Sequence, residues 1–211
     1  MKTTLALLLS VLISSFALAN DGGGGSSSGS SSSGSHFGVS AGLGIPHPLG
    51  FGLDYVMSNG LFSFGLGTGS YSLKSSDVSV GIRHTELAAR YHPFKGSFYA
   101  GALFGQQNLT GEQTQSISGQ SVTVKVDIKT MYATPHVGWM WGIDGGGVFA
   151  SMEFGYQLPL SASTDFTTDA PSIVQSTPEY VTLDKDVRDV GDKIGKTGLP
   201  FMTLLKIGWL F

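Results

Sequence analysis

The chain has 211 residues, 41% of them hydrophobic and 13% charged, with 31 glycines, no cysteine and a formal net charge of −3. Average usage is roughly 25% charged and roughly 7% glycine, so charge is about half the norm and glycine about double it. That balance excludes a coiled coil, a disulfide scaffold, a lipid-modified N-terminal cysteine and a basic nucleic-acid surface. Beyond the leader, no run of 18 or more apolar residues is available to form a membrane-spanning helix.

Met1 and Lys2 give a short positive start, Leu5 to Leu18 an apolar stretch, and Ala17-Leu18-Ala19 an A-x-A site. This three-part pattern predicts a secretory signal peptide over residues 1–19. Residues 20–35 follow, reading DGGGGSSSGSSSSGS from Asp21 to Ser35. They carry no apolar side chain to bury, which predicts a flexible leash with a reach of about 20 Å. A spacer is the plain reading of the leash; a tether to a partner is the sharper one.

From residue 36 the chain alternates with period two. Phe37, Val39, Ala41, Leu43 and Ile45 share one face. So do Phe51, Leu53, Tyr55 and Met57, then Phe62, Phe64 and Leu66. Thr85, Leu87, Ala89 and Tyr91 make a fourth run, and Phe98, Ala100, Ala102 and Phe104 a fifth. Val137, Trp139 and Trp141 end the sixth. Val148 to Leu158 in steps of two make the seventh, and Phe201 to Phe211 in steps of two the eighth. Each run is near the ~9–11 residues that cross a bilayer as a tilted strand.

The opposite faces hold mostly glycine and serine, with isolated charges at Asp54, Glu86, Arg90, Glu153 and Lys206. A face meeting water carries far more charge. Small residues with a few opposite charges suit the crowded lumen of a small barrel. The connections sort in the same sense. Ser58–Gly60, His92–Gly96 and Gly142–Gly147 are tight, which suits periplasmic turns. Pro46–Gly50 is modest, whereas 68–77, 106–121 and 159–200 are longer and fall on the other side. The fold class expected for residues 36–211 is therefore all-β: an eight-stranded antiparallel up-and-down transmembrane β-barrel with short periplasmic turns and long outer loops.

Within the loop 159–200, Leu183, Val187, Val190 and Ile194 repeat at helical spacing. They predict an amphipathic helix over 182–195, with Thr182 as N-cap and Gly195 as the stop. It would cover the barrel mouth or lie on the outer surface. Asp184, Asp186, Asp189 and Asp192 invite a calcium reading, but Arg188 takes a position where an oxygen ligand is needed.

Together the leader, the eight runs, the sorted connections, the passage Glu86 to Gly101 and the terminal Phe211 resemble the small outer-membrane barrels of the OmpA/OmpX/OmpW type. Ile207, Trp209 and Phe211 resemble the C-terminal signal that the barrel-assembly machinery reads, although Lys206 stands where that signal usually has glycine. The resemblance implies a bacterial outer-membrane location, with membrane lipid and the assembly machinery as partners.

Candidate chemistry is sparse. Asp54, Glu86, Arg90, His136, Glu153 and Lys206 are expected to form a lumenal polar network that fills a narrow tube, since a lone charge there would be costly. His84, Glu86 and His136 could suggest metal binding or acid–base chemistry, but they read better as satisfied lumen histidines. No catalytic residue, cofactor or metal is assigned. The glycines of Gly65–Gly69 lack the following lysine and helix of a phosphate loop. Ala89, Ala100 and Ala102 fall together on the outward face, where small residues permit close approach, so a homo-oligomer is expected there. The role expected is structural or interactive. A channel or transporter for small hydrophobic molecules is the alternative, and an outer-membrane lipid-modifying enzyme ranks last.

Overall fold

The computed structural model describes residues 34–211 except 77, 118, 119 and 144. The expected signal peptide, and all of the leash but Gly34 and Ser35, lie outside the described residues. Eight strands follow in order: β1 (His36–Ile45), β2 (Gly50–Val56), β3 (Phe62–Ser75), β4 (Val78–Tyr91), β5 (Phe98–Ile117), β6 (Gln120–Trp141), β7 (Gly147–Thr168) and β8 (Leu199–Leu210). Each pairs antiparallel with its neighbour, and β8 returns to β1 in a register running from Gly38↔Leu210 to Ile45↔Met202. Closure pairs every strand on both sides over the part of the barrel that all eight share. The all-β, eight-stranded antiparallel barrel read from the sequence is the fold observed.

Period-two alternation inverts the usual soluble arrangement. Phe37 is 67% exposed, Leu53 57%, Val148 62% and Ile207 50%, all on the outside. Asp54, Arg90 and Glu153 are each at most 4% exposed, on the inside. Cross-strand aromatic pairs ring the outside near the short turns. Phe37 lies 4.6 Å from Tyr55, Phe62 5.3 Å from Tyr91 and Phe98 5.7 Å from Trp139, centroid to centroid. Each pair is directly opposed in register, the arrangement that stabilises neighbouring strands most effectively.

The eighth run departs from the expected single alternation. Ser151 pairs with Lys206 but Glu153 with Thr203, and Leu43 pairs with Leu205 but Gly44 with Thr203. One extra residue therefore bulges between Thr203 and Leu205. A bulge resets parity, so Phe201 and Thr203 turn inward together with Lys206, Gly208 and Leu210. The sequence reading had put Phe201 and Thr203 on the outer face.

The long outer connections are a second correction. Residues 106–117, 120 and 121 are strand rather than loop, because β5 and β6, of 20 and 22 residues, include them. Residues 68–75 likewise belong to β3, which continues to Ser75, and β4 begins at Val78. The loop expected over 159–200 begins only after Thr168. A 22-residue strand is about 70 Å long and, tilted by about 40°, rises about 55 Å against the apolar band of about 25 Å of a membrane barrel, so about half of each long strand projects beyond such a band. The wall is consequently uneven, tall along β5–β7 and low along β8–β1–β2.

Two helices follow β7, α1 (Ser172–Gln175) and α2 (Pro178–Gly195). Helix α2 starts four residues before the expected Thr182. Pro178 is preorganised for the first turn, and Thr177 is the N-cap, its hydroxyl accepting from the Tyr180 N–H at 3.3 Å. The Thr182 hydroxyl instead donates to the Pro178 carbonyl. Gly195 is the last helical residue and Lys196 the cap. Two of the four aspartates pair one turn on, Asp184 with Arg188 at 2.9 Å and Asp192 with Lys196 at 3.2 Å.

The docked face of α2 carries Tyr180, Gly191 and Gly195, all buried. Tyr180 joins Val122, Val124, Ala170 and Phe166 in a small core of its own. A methyl at Gly195 would lie 2.8 Å from Ala162 Cβ and 3.0 Å from Ile128, so the missing side chain sets the close approach. Ile128 and Thr130 are on the same face of β6 as the lumenal Tyr132. The helix therefore packs on the inner side of the tall wall rather than on the outer surface.

Overpacking this contact costs about 1–3 kcal/mol. Gly195→Val should raise the undocked population, and with it proteolytic cleavage within 178–196, by about 5- to 150-fold. Asp189→Val, on the exposed side, should leave the cleavage rate unchanged. Limited proteolysis of the folded barrel reads both.

Candidate functional site

The lumen is filled in layers, and glycine makes each one fit. Large inward side chains sit directly opposite glycines on the next strand: Tyr99 opposite Gly138, Tyr132 opposite Gly105, and Phe149 opposite Gly208. A Cβ at Gly138 would come within 2.6 Å of the Tyr99 hydroxyl, and one at Gly105 within 2.6 Å of the Tyr132 ring. Eight strands leave an interior only wide enough for side chains, so bulk on one strand requires its absence on the neighbour.

At the short-turn end, Val56, Tyr99, Met140, Ile143, Phe149 and Leu210 form an apolar plug. Beside it, His92 bridges the Ser63 hydroxyl at 2.9 Å and the Gly96 carbonyl at 3.1 Å. The carbonyl can only accept, so Nδ1 carries the proton and Nε2 accepts from Ser63. This has the form of a nucleophile–base pair, but both residues are fully buried. Ser63 and His92 are 29 positions apart, so no local spacing in the sequence marks them as a pair.

The second layer is ionic. Arg90 Nη1 contacts Asp54 Oδ1 at 3.2 Å and Nη2 contacts Glu153 Oε1 at 3.0 Å. Lys206 Nζ reaches the same Asp54 oxygen at 2.7 Å. Hydroxyls complete the shell. Ser40 donates to Asp54 at 2.6 Å, Tyr99 to Glu153 at 2.8 Å and Thr203 to Glu153 at 3.3 Å. The inward turn of Thr203 follows from the bulge in β8. Two carboxylates face two cations, so the layer is formally neutral.

Glu86 and His136, expected in this network, stand apart from it. His136 Nδ1 bonds the Thr134 carbonyl at 3.1 Å, and its ring packs between Tyr99 and Phe201. Glu86 belongs to the layer nearest the outer mouth. Its Oε2 accepts from the Tyr132 hydroxyl at 3.0 Å and lies 3.4 Å from His47 Nδ1. The His47 and His84 rings stack in parallel, 3.8 Å between centroids. His84, Glu86 and His136 are thus not one cluster; His47 takes the third place. A loop of four residues, 46–49, crosses the low wall and folds His47 inward to 7% exposure. No alternation marks that loop as lumenal.

A cavity of about 70 Å³ adjoins both polar layers. Its lining includes Gly42, Gly52 and Gly67 together with His47, Glu86 and Arg90. Since a water needs about 10–15 Å³ by this measure, it has room for a few waters. The outward Ala89 and Ala102 are directly paired, and Ala100 is exposed two residues from Ala102 on the same face. At the C-terminus the Phe211 N–H donates to the Phe37 carbonyl at 2.6 Å, and Ile207, Trp209 and Phe211 are all exposed.

Removing one member of a buried ion pair strands its partners and costs about 3–5 kcal/mol. Arg90→Met leaves Asp54 and Glu153 facing Lys206 alone, and should lower unfolding stability in detergent by that amount. Asp54→Asn combined with Lys206→Met removes one charge of each sign and should cost less than the two single changes added together. Equilibrium urea unfolding followed by tryptophan fluorescence measures both.

No family model matches the chain, and no curated protein matches it. Among solved structures, the crystal structure of Acinetobacter baumannii CarO aligns with 17% sequence identity and a TM-score of 0.41, over 82% of this chain and 96% of that chain.

Proposed function

We propose that this protein is an outer-membrane barrel whose filled lumen serves as a rigid support, and whose working surface is the tall wall β5–β7 with helix α2. The observation that carries this reading is the inversion of the barrel. Apolar side chains cover the outside around the circumference while Asp54, Arg90, Glu153 and Lys206 are enclosed. An exposed apolar area of that extent has acyl chains as its natural solvent. The paired aromatics near the short turns match an interfacial girdle.

A scaffold is favoured over a channel by the plug of Tyr99, Met140, Phe149 and Leu210, which fills the end nearest the short turns. A transporter of small hydrophobic molecules needs a path past that plug or out through the wall. A lipid-modifying enzyme needs a serine–histidine pair that lipid can reach, whereas Ser63 and His92 are enclosed. In a planar bilayer the protein should pass no measurable current at ±100 mV. Reproducible unitary steps would favour the channel reading instead.

Self-association is part of the proposal. Ala89 and Ala102 are opposed across the strands, and Pro135 is opposite Ala102 on the next strand, giving a shallow outward face. Small residues allow two walls to approach closely in lipid. Ala100→Trp should convert the assembly to monomers in detergent, read by size exclusion with light scattering. An unchanged mass would contradict the patch.

A further inference from the structure

We propose that His47, His84 and Glu86 form a binding site for one divalent first-row transition-metal ion at the outer end of the lumen. One ligand atom from each of the three lies within 4.8 Å of the others. His47 Nδ1 and Glu86 Oε2 are already 3.4 Å apart. Ligands about 2.0–2.1 Å from a tetrahedral zinc are separated by about 3.3 Å, so this pair has the spacing of one edge of such a site.

Proton bookkeeping points the same way. Gln157 Nε2 donates to Gln107 Oε1 at 3.0 Å, which fixes that oxygen as an acceptor. His47 Nε2 lies 3.4 Å from the same oxygen and must therefore be the protonated nitrogen. In the neutral ring Nδ1 then presents a lone pair to Glu86 Oε2, an atom that already accepts from Tyr132. Nδ1 is buried and has no partner besides Glu86. Two electron pairs facing each other across 3.4 Å require a cation between them. A proton on Nδ1 would meet that need, but it leaves the stacked His84 unexplained. A metal uses all three residues.

The wider surroundings suit a metal. Gln107 orients His47 and Tyr132 orients Glu86, the second-shell bonds by which metal ligands are held in place. The loop 46–49 carries His47, and a ring nitrogen of His84 already lies within 4.8 Å of the other two ligand atoms. Glu86 and both histidines border the cavity, which supplies a route of entry and an open coordination position. Two imidazoles and a carboxylate select zinc, nickel, cobalt or copper over calcium and magnesium.

The test is calorimetric titration of the untagged full-length protein, as the cell processes it, with Zn²⁺ in detergent micelles. One equivalent should bind. His47→Ala should weaken binding by more than the roughly 10- to 100-fold that outer-shell changes produce. His84→Asn and Glu86→Gln preserve shape, and each should give the same loss by an independent route. His136→Ala removes a lumenal histidine outside the cluster and should leave binding unchanged. Heat-modifiable migration on gels identifies the folded variants. Binding undiminished in folded His47→Ala or Glu86→Gln, or no binding by the wild type at 100-fold excess Zn²⁺, overturns the site. Calcium titrated in parallel should release no heat; calcium binding with zinc-like affinity would also overturn the assignment.

Discussion

Four charges enclosed in a tube too narrow for bulk water must neutralise one another, and the interior is organised around that requirement. Arg90 spans Asp54 and Glu153, Lys206 supplies the second cation, and three hydroxyls take up carboxylate lone pairs. The bonds join β1, β2, β4, β5, β7 and β8 across the lumen. Closure of the sheet and pairing of the charges are therefore mutually dependent. The sheet brings β2, β4, β7 and β8 within reach of one another, and the paired charges make the enclosed interior tolerable.

The same narrowness explains the composition. A side chain as large as Tyr99, Tyr132 or Phe149 fits only where the facing position is glycine. Glycine is abundant because the lumen is filled by large–small pairs rather than by residues of uniform size. Outside the barrel the demand reverses. Apolar side chains stand out at every second position, and low charge across the chain follows from how few positions face water. The uneven wall then assigns the ends different tasks. The short-turn end is plugged, whereas the outer end holds His47, His84 and Glu86 beside the cavity.

Where the environment changes from one face of a strand to the other, the sequence is legible. The eight runs, the tight turns and the inward positions of Asp54, Arg90, Glu153 and Lys206 could be read because acyl-like and enclosed surroundings select opposite residues. Past the apolar band the outer face meets polar surroundings, and along β5 the contrast fades. Thr110 to Thr114 therefore read as loop, although they are strand. The bulge in β8 was hidden for another reason. Leu204 and Leu205 are both apolar, so nothing in their chemistry marks the reset that turns Thr203 toward Glu153. His47 could not be placed because a four-residue loop has no period, and only the low wall beneath it directs the ring inward. The grouping of Glu86 with His47 rather than with Arg90 depends on height along β4, which parity does not encode.

The central claim is that the outer surface is solvated by acyl chains. All three tryptophans, Trp139, Trp141 and Trp209, are on that surface. Fluorescence of the protein reconstituted in bilayers with brominated acyl chains tests it most directly. The account predicts strong quenching, greatest when bromine is near the headgroup end of the chain. Emission untouched by bromine at any depth, from a protein that stays monodisperse without detergent, would contradict it.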